Sequence, residues 1–523
     1  MPTLHSSRNK VFISYSHRDV RWLHRLKVHL RPFEREHKIE IWDDTCIRPG
    51  SDWKQAISKS LASAKVAILL ISADFLASDF IINTELPLRF PLKYPLMINR
   101  LCIKKGMHGA DIDPISVTKR RWRWAMHAKR IVDELLNDCL RCLHAKQAEG
   151  VKVAVCGALG GGRLSLSQLA RSVASATTVR HRVKRIDRLL GNKALHAARA
   201  TIYHGVAEQW LAGIEQVLVV IDWSDVTADQ QWHLLRASVA VDGRSVTLYE
   251  EIHPQQKYGD RAVHRRFLAR LAKLLPVGCT PIIMTDAGFR STWFDLVTRR
   301  HWQWIGRIRG KDMVRIAETP WRRCTDVYTE ATSQAREYAD AFYVRSNPTS
   351  CRLVLVKREA KGRSRRTRMG KLSRARTSLK SARSAREPWL LACSTGLSHL
   401  SPQAIIALYA QRMRIEQSFR DIKNERGGLG LSASRSRSGK RLEILLLIGH
   451  LAGWLMRLIG ESAQQCQMQL QFQSVSRRDH KEISVLTLAR RVIDAGSDWL
   501  SRLRPTRSIP LLQQQAQEAC HAA

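Results

Sequence analysis

The feature that most constrains the fold is an ordered series of apolar strand patterns and helix patterns between residues 215 and 309. Val217 to Ile221 is entirely apolar, which is typical of a buried strand, and Asp222 follows it. Two more strands, a basic amphipathic helix, a fourth strand, a second helix and a fifth strand come next. These later elements are predicted at Leu234–Val241, Ser245–Ile252, Arg261–Leu275, Pro281–Thr285, Thr292–Arg300 and Trp304–Arg309. The order βββαβαβ predicts an α/β layer structure.

Two of these strands end at an acidic residue, since Asp222 follows the first and Asp286 follows the fourth. A single Asp at a strand end is usually a turn former. Two Asp residues on adjacent strands can instead converge on one cation, because carboxylate oxygens suit Mg²⁺. The strand order, with acids at these two ends, describes an RNase H-like core.

A third acid lies in residues 408–424, which have helical spacing. Four polar side chains there, at offsets of 0, 3, 7 and 14 residues, are Tyr409, Arg412, Glu416 and Lys423. At about 100° per residue they lie within about 60° of one helix face. Such a face suits a phosphate site, because cations grip phosphates and a carboxylate completes a metal cage. Spacing alone leaves open the alternative of ion pairs on a solvated helix.

The spacing Y-x2-R-x3-E-x6-K, preceded by IDWSD (221–225) and MTDAGF (284–289), resembles the DDE transposases of bacterial cut-and-paste insertion sequences. The matching subgroup is the insertion-sequence-four family with its Y-R-E-K signature, over about residues 126–505. The resemblance implies an enzyme that nicks transposon ends and joins the 3′-OH to target DNA by two-metal phosphoryl transfer. The catalytic residues it implies, which also bind two Mg²⁺ ions (Mn²⁺ usually substitutes), are Asp222, Asp286 and Glu416. The residues it implies for binding the phosphates of the transposon ends are Tyr409, Arg412 and Lys423.

The same resemblance implies an inserted domain within the catalytic core and a dimeric complex with DNA. Family members carry a mainly β domain before the Glu helix, and residues of about 311–396 fit it. Its expected strands are near Ala341–Val344, Leu353–Lys357 and Trp389–Cys393. The helices expected later, at Leu442–Leu458 and Val485–Ile493, pack on the core or on a second subunit. A homodimer that bridges transposon ends and target DNA is the expected partner arrangement.

The charge balance agrees with a polyanionic partner, since the 523 residues include 87 Lys and Arg against 46 Asp and Glu, a net charge of +41. Residues 1–100 hold only 16 of these cations against 10 acids, so the excess lies in the remainder. Eleven scattered cysteines and no secretory signal favour a bacterial cytoplasmic, nucleoid-associated protein. The longest apolar stretch, Ile444 to Met456, is too short to span a bilayer, so no membrane is expected.

Residues 126–205 have basic helical patterns that predict a DNA-binding domain, with a helix-turn-helix within 164–190. The cations expected on its outer face are Arg180, Arg182, Lys184 and Arg185. Any small helical domain shares this pattern, and the net charge is what favours DNA. Cys139, Cys142 and His144 allow a zinc interpretation, but no fourth ligand or second knuckle is apparent. Helix-buried cysteines are the favoured alternative.

Two further features leave alternatives open. The stretch 357–386 holds 13 Lys and Arg and one acid, Glu359. It could follow a DNA backbone, with strong salt dependence, or form a solvated loop. Trp302 and Trp304 could stack on a flipped base, although buried core tryptophans are the more common case.

The N-terminal segment has three buried strand patterns, Val11–Tyr15, Ile39–Trp42 and Val66–Ser72, separated by helical patterns. VFISYSHRD (11–19), IWDDTCIRPGSDW (41–53) and VAILLISADFLASDF (66–80) together resemble the bacterial TIR domain over about residues 10–87. TIR domains are assembly modules, and many cleave NAD through an acid at the position of Glu85. A surface carboxylate is the alternative for that residue. Because no strand is apparent beyond Leu86, a partial, flavodoxin-like sheet of three strands and a truncated domain are expected.

Closely spaced prolines and glycines predict a linker or junction at 88–125. The expected fold class is therefore multidomain α/β. Its parts are a TIR-like domain (10–87), the linker (88–125), a helical DNA-binding domain (126–205), an RNase H-like transposase core (206–505) and a tail (506–523). The linker codons could also be the end of a mobile element that inserted into a TIR gene.

Two functions from different classes follow. The first is a DNA-cutting transposase with an N-terminal passenger. The second is a TIR effector or signalling protein that cleaves NAD and senses nucleic acid through its C-terminal part. Three acids and an intact Y-R-E-K face favour the first function, because a sensor would tolerate the loss of one of them.

Overall fold

The computed structural model describes residues 10–47, 52–64, 66–71, 95–99, 127–173, 175, 177–227, 229–359, 375, 379, 386–425, 427–474 and 482–521. The chain divides into two compact units, residues 1–123 and residues 124–523. The architecture is mixed α/β, as the sequence predicts.

The first unit contains a parallel sheet with two helices. Its strands are β1 (Lys10–Tyr15), β2 (Glu40–Trp42), β3 (Val66–Ile71) and β4 (Pro95–Asn99), and its helices are α1 (Val20–Arg35) and α2 (Trp53–Ser63). The strand order is β2-β1-β3-β4, and all the pairs are parallel. This is the order of the first four strands of a flavodoxin-like sheet.

The expectation of a three-stranded sheet is wrong, because β4 pairs with β3 from Ala67↔Pro95 onwards. The fourth strand lies inside the segment 88–125, which the sequence predicts to be a linker. The sequence analysis missed this strand because closely spaced prolines are unusual within strands. Pro95 is the first residue of the strand, a position where proline is tolerated. Glu85 lies outside the described residues.

The second unit begins with basic helices. Residues 127–136 are helical, and α3 (Ala145–Leu159), α4 (Leu166–Ser172), α5 (Val179–Leu190) and α6 (Lys193–Leu211) follow. The two short helices expected within 164–190 are therefore present as α4 and α5. On α5, Arg180, Lys184 and Arg185 are exposed, whereas Arg182 is half-buried and donates to the carbonyl of Val173 at 2.7 Å.

The centre of the second unit is a mixed sheet with the predicted elements. Its strands are β5 (Gln216–Asp225), β6 (Trp232–Val241), β7 (Arg244–Pro254), β8 (Thr280–Thr285) and β9 (Gln303–Ile308), and its crossing helices are α7 (Arg261–Leu274) and α8 (Ser291–Thr298). The order is β9-β8-β5-β6-β7, with β5, β6 and β7 antiparallel and β5, β8 and β9 parallel. This confirms the order expected of an RNase H-like core.

The inserted residues extend that sheet. They form β10 (Met313–Ile316), β11 (Arg322–Arg323), the short helix α9 (Cys324–Val327), β12 (Arg336–Tyr343), β13 (Thr349–Val356) and β14 (Trp389–Cys393). β14 pairs antiparallel with β9, so one sheet of ten strands results. Apart from residues 357–359, 375, 379 and 386, the cationic stretch 357–386 lies outside the described residues.

Helices complete the second unit. They are α10 (Pro402–Ala410), α11 (Met413–Lys423), α12 (Gly439–Gln465), α13 (Val485–Ala495), α14 (Ser497–Ser501) and α15 (Ile509–His521). α10 and α11 are separate helices, because Gln411 and Arg412 form a tight turn in which each backbone N–H bonds three residues back. The expectation of one continuous helix over 408–424 is therefore wrong.

Among the described residues, α12 has the length and composition of a membrane span. The helix continues beyond the apolar stretch 444–456 on both sides, so the shortness of that stretch does not decide the matter, and the absence of a membrane stays an expectation. However, 94% of its most apolar window is buried inside the protein. A core helix passes the same test of length and composition, so the test is weak evidence for a membrane.

The core explains two other sequence features. Trp304 is 1% exposed and stacks on Phe294 at 4.1 Å between ring centroids, as expected of a core tryptophan. Gly306 permits this packing, because a Cβ there would lie 2.3 Å from the Phe294 ring. The thiol of Cys139 bonds to the carbonyl of Leu136 at 3.3 Å, so the zinc interpretation gains no support.

Candidate active site

Neighbouring parallel strands bring Asp222 and Asp286 together. In the pairing of β5 with β8, Ile221 is opposite Thr285, so an acid follows each of these residues. β8 ends at Thr285 as expected, whereas β5 continues to Asp225, so Asp222 lies within its strand and not at the strand end that the sequence predicts. Asp222 is 8% exposed and accepts a hydrogen bond from the backbone N–H of Trp223 at 2.8 Å. Asp286 accepts one from the N–H of Gly288 at 2.8 Å. These backbone bonds hold both carboxylates at the carboxyl edge of the sheet.

Glu416 comes to the same place from α11, which packs across β5, β6 and β7. Arg412 lies between the strand and helix carboxylates. Its Nη1 is 3.3 Å from Asp222 Oδ2 and 3.7 Å from Glu416 Oε1. The guanidinium therefore partly neutralises two of the three predicted catalytic acids.

The pKa of Asp222 reflects its burial and the negative charges near it. Burial raises the pKa of Asp222 to about 8, the negative charges of Asp286 and Glu416 push it in the same direction, and Arg412 opposes them. A carboxylate that is hard to ionise in isolation is stabilised by a nearby cation. The charges of Asp222, Asp286 and Glu416 therefore act on one another; for brevity these three residues are called the acidic centre, and their catalytic role stays a prediction.

The chemistry of this donor set fits a divalent cation, because Mg²⁺ prefers carboxylate oxygens. The described residues contain no group of three or more His, Cys, Asp or Glu side chains already arranged as a metal cage. Arg412 occupies the space between two of the acids, so the side chains would rearrange to bind metal. The residues that would hold it are Asp222, Asp286 and Glu416.

Tyr409 is 3% exposed at the end of α10, and its ring meets Trp389 edge-on at 5.0 Å. Burial raises the pKa of its phenol to about 12, while the neighbouring Arg412 and Arg307 lower it. Tyr409 is therefore a neutral hydroxyl group beside the acidic centre. Tyr409 thus lies near Arg412 and the acids, and its binding of a DNA phosphate stays a prediction.

Lys423 lies at the last turn of α11, where its Nζ donates to Ser224 Oγ at 2.5 Å. Burial lowers the pKa of Lys423 to about 8, and the positive charge of Arg236 acts in the same direction. The ammonium borders an open groove that Glu416 and Lys423 share with two further cations, Arg163 and Arg420. Glu425 also lines this groove and pairs with Arg163 at 3.0 Å, so the lining holds both cations and carboxylates.

Sequence reasoning missed three buried residues beneath the acidic centre. Arg236 on β6 is 2% exposed, Glu250 on β7 is 0% exposed, and Ser418 on α11 is 8% exposed. The available signal was a charged residue in the apolar part of each strand, because a buried charge needs a partner. Arg236 follows Leu234 and Leu235, and Glu250 follows Leu248 and Tyr249. Nothing in the sequence indicates that these partners meet each other.

Comparisons with known proteins agree with this organisation. The family model described as "Transposase DDE domain" matches residues 214–453, which include Asp222, Asp286 and Glu416. The family model described as "TIR domain" matches residues 11–143. The prediction that TIR similarity ends near Leu86 is therefore wrong, because the match continues through the segment 88–125.

One relative is the uncharacterized protein y4lF of Sinorhizobium fredii, to which the chain is 38% identical over 76 residues. The match covers 14% of this chain and 24% of that protein. The chain thus spans about a quarter of the length of the curated relative it matches.

Proposed function

We propose that this chain, which carries a transposase DDE domain behind a TIR domain, is a cut-and-paste DNA transposase of the insertion-sequence-four family. It would nick transposon ends and join the freed 3′-OH to target DNA. The observation that carries the proposal is geometric: β5 and β8 place Asp222 beside Asp286, and Arg412 lies within 3.7 Å of both Asp222 and Glu416. The net charge of +41 supports DNA as the partner.

The roles of the residues follow from their positions. Asp222, Asp286 and Glu416 are the proposed catalytic residues and would hold Mg²⁺, for which Mn²⁺ can substitute. When bound, two such ions supply Lewis-acid stabilisation of the attacking and leaving oxygens of phosphoryl transfer. Asp222 is 8% exposed, so water screens its charge interactions little, whereas the Glu416 side chain is 41% exposed.

The Y-R-E-K side chains would position the DNA. The Tyr409 hydroxyl can donate a hydrogen bond to a phosphate oxygen, because its raised pKa keeps it protonated. Arg412 can exchange its carboxylate partners for a phosphate, and Lys423 would contact the next phosphate along the groove. We further propose a homodimer in the DNA complex, and a bacterial cytoplasmic location close to the nucleoid.

An excision assay tests the function directly. A plasmid carrying the gene's own flanking DNA is incubated with Mg²⁺ and full-length protein, residues 124–523, or Asp222→Ala. Double-strand release by the first two but not by the variant is the expected result. Failure of both unchanged forms, where a control transposase releases its own element, would overturn the proposal.

The alternative function is a TIR effector or signalling protein that cleaves NAD and senses nucleic acid through its C-terminal part. A second observation favours it, because the four parallel strands in the order β2-β1-β3-β4 belong to a more complete sheet than the sequence indicated. NAD hydrolysis by full-length protein, with and without duplex DNA, tests it. Loss of hydrolysis in Glu85→Ala but not in Asp222→Ala would assign the activity to the TIR segment. No hydrolysis in either condition would reject it.

A further inference from the structure

A fully buried ion pair lies directly beneath the acidic centre. Arg236 and Glu250 face each other across β6 and β7, and Arg236 is also opposite Asp222 across β5 and β6. Arg236 donates from Nε to Glu250 Oε2 at 2.8 Å, and its Nη2 lies 2.6 Å from the same oxygen. Paired residues on adjacent antiparallel strands share one face of a sheet, so all three side chains lie on the face that α11 covers.

The third nitrogen of Arg236 connects this pair to α11. Nη1 donates to Ser418 Oγ at 3.1 Å, and the Ser418 hydroxyl in turn donates to the carbonyl of Ile415 at 2.8 Å. The guanidinium also lies over the ring of Phe419, with its central carbon 5.1 Å from the centroid. Every nitrogen of Arg236 therefore has a partner on Glu250 or on the helix.

Glu250 is held just as completely. Its Oε1 accepts from the Tyr203 hydroxyl at 3.0 Å, and its backbone carbonyl accepts from Arg199 at 2.8 Å. Apolar side chains of similar size often stabilise a core as well as a buried ion pair does, so stability alone does not explain this network. Unlike apolar packing, the network joins β6, β7 and α11 through hydrogen bonds that have a preferred direction, so it can fix how these elements are oriented.

From this geometry we infer that Arg236, held by Glu250 and bonded to Ser418, is a positioning residue that sets the rotation of α11 and so aims Glu416 at Asp222. Glu416 and Ser418 project from the same helix two residues apart, so any rotation of the helix about its axis that moves Ser418 moves Glu416 by the same angle. Lys423 and Asp421 tie the end of this helix to Ser224 on β5 and Arg244 on β7. The bond at Ser418 adds a buried contact one or two turns earlier, nearest to Glu416. The inference rests on the proposed function, in which Glu416 completes the metal site.

Ser418→Ala is the sharpest test, because it removes the bond to α11 and leaves the Arg236–Glu250 pair intact. Ser238→Ala is the matched control, since Ser238 is 0% exposed on the same strand as Arg236 and its hydroxyl has no hydrogen-bond partner in the described part of the chain. Ser418→Thr keeps the hydroxyl, and a cavity of about 80 Å³ lined by Ser418 and Arg236 can take its methyl group. Each full-length variant is titrated with Mn²⁺ alone and assayed for DNA cleavage.

We expect Ser418→Ala to bind Mn²⁺ about tenfold more weakly, as is usual when a residue that orients a metal ligand is lost. Ser418→Thr should recover most of that affinity, and Ser238→Ala should match the unchanged protein. DNA binding without divalent cations should be the same in all four proteins, which a general loss of folding would not allow. Cleavage should recover in Ser418→Ala as Mg²⁺ is raised.

Equal Mn²⁺ affinity in Ser418→Ala and Ser238→Ala would overturn the positioning role, whether or not the protein cleaves DNA. If the unchanged protein binds Mn²⁺ but cleaves no DNA, the transposase function fails, while the Mn²⁺ affinities still decide the role of Arg236. If the unchanged protein binds no Mn²⁺, both inferences are rejected, because there is then no metal site for the network to position.

Discussion

Arg412 Nη1 lies 3.3 Å from Asp222 Oδ2, although 190 residues separate the two in the chain. The guanidinium also reaches Glu416 at 3.7 Å, so one cation serves a strand carboxylate and a helix carboxylate. This contact stabilises the acids before DNA or metal is bound. Arg412, which is predicted to bind a DNA phosphate, therefore contacts two carboxylates, Asp222 and Glu416, when no DNA is bound.

Arg412→Ala should therefore lower the free energy of unfolding by about 2 kcal/mol when no divalent cation is present, because it leaves neighbouring carboxylates without their cation. Added Mg²⁺ should recover more stability in this variant than in the unchanged protein. Urea unfolding with EDTA and with Mg²⁺ measures both effects. The control is Arg441→Ala, which breaks a 2.6 Å ion pair with the 53% exposed Asp187. Surface pairs contribute less than about 1 kcal/mol, so an equal loss in both variants would contradict this prediction.

Replacing any of the three acids by its amide should abolish cleavage and leave the fold intact. We expect Asp222→Asn, Asp286→Asn and Glu416→Gln each to lower the cleavage rate by about 10³-fold or more, because an amide is a poor ligand for a hard cation. Asp225→Asn is the matched control, since Asp225 ends the same strand as Asp222 but pairs with His233 at 3.1 Å. Its rate should stay within about threefold of the unchanged protein, because the half-exposed Asp225 is not one of the proposed metal ligands. A loss comparable to that of Asp222→Asn would show that the prediction has assigned the wrong acids.

Lys423→Ala should weaken DNA binding in a salt-dependent way. One lost phosphate contact should reduce the slope of log K against log salt concentration by about one. Fluorescence anisotropy on duplex DNA, measured without divalent cations over a range of NaCl concentrations, gives the slope. Lys273→Ala removes the same charge from the exposed end of α7 and should leave the slope unchanged. Identical slopes for Lys423→Ala and the unchanged protein would argue against a phosphate contact at Lys423.

Glu251 should make stability depend on pH in acid. Burial alone would raise its pKa, but hydrogen bonds from His253 and Arg270 outweigh burial and lower the pKa from 4.5 to about 2. A lowered carboxylate pKa contributes stability that is fully present above pH 4.5 and is lost as the pH falls towards 2. The contribution is on the order of 3 kcal/mol. Unfolding measured between these pH values should show a flatter pH dependence in Glu251→Gln, whereas the exposed Glu208→Gln should follow the unchanged protein.

Two glycines of α12 should respond oppositely to alanine. A Cβ at Gly453 would meet no heavy atom within 4 Å, whereas one at Gly460 would lie 2.2 Å from the Val485 carbonyl oxygen. Gly453→Ala should raise the free energy of unfolding by about 0.5–1 kcal/mol, because alanine is the better helix former. Gly460→Ala should lower it, because a backbone atom cannot move aside as a side chain can. Thermal unfolding of both variants measures the difference, and a lower melting temperature for Gly453→Ala would contradict the packing described here.

The local patterns determined much of the second unit. The strand and helix order from β5 to β9 follows from apolar periodicity, which each segment carries in its own residues. The closely spaced prolines led to the wrong prediction of a linker at 88–125, because proline can begin a strand and β4 begins at Pro95. The turn at Gln411 and Arg412 was also missed, because periodicity continues through it and only the hydrogen bonds reveal the break between α10 and α11.

By itself, the sequence indicated which strands position Asp222 and Asp286, and its net charge of +41 favours a polyanionic partner. Only the tertiary structure decided that Arg412 pairs with Asp222, that Arg236 bonds to Ser418, and that the insertion extends the central sheet. Each of these contacts joins residues far apart in the chain; Arg236 and Ser418, for example, are separated by 182 positions. Local propensity carries no information on such pairs, because the packing of whole elements brings them together.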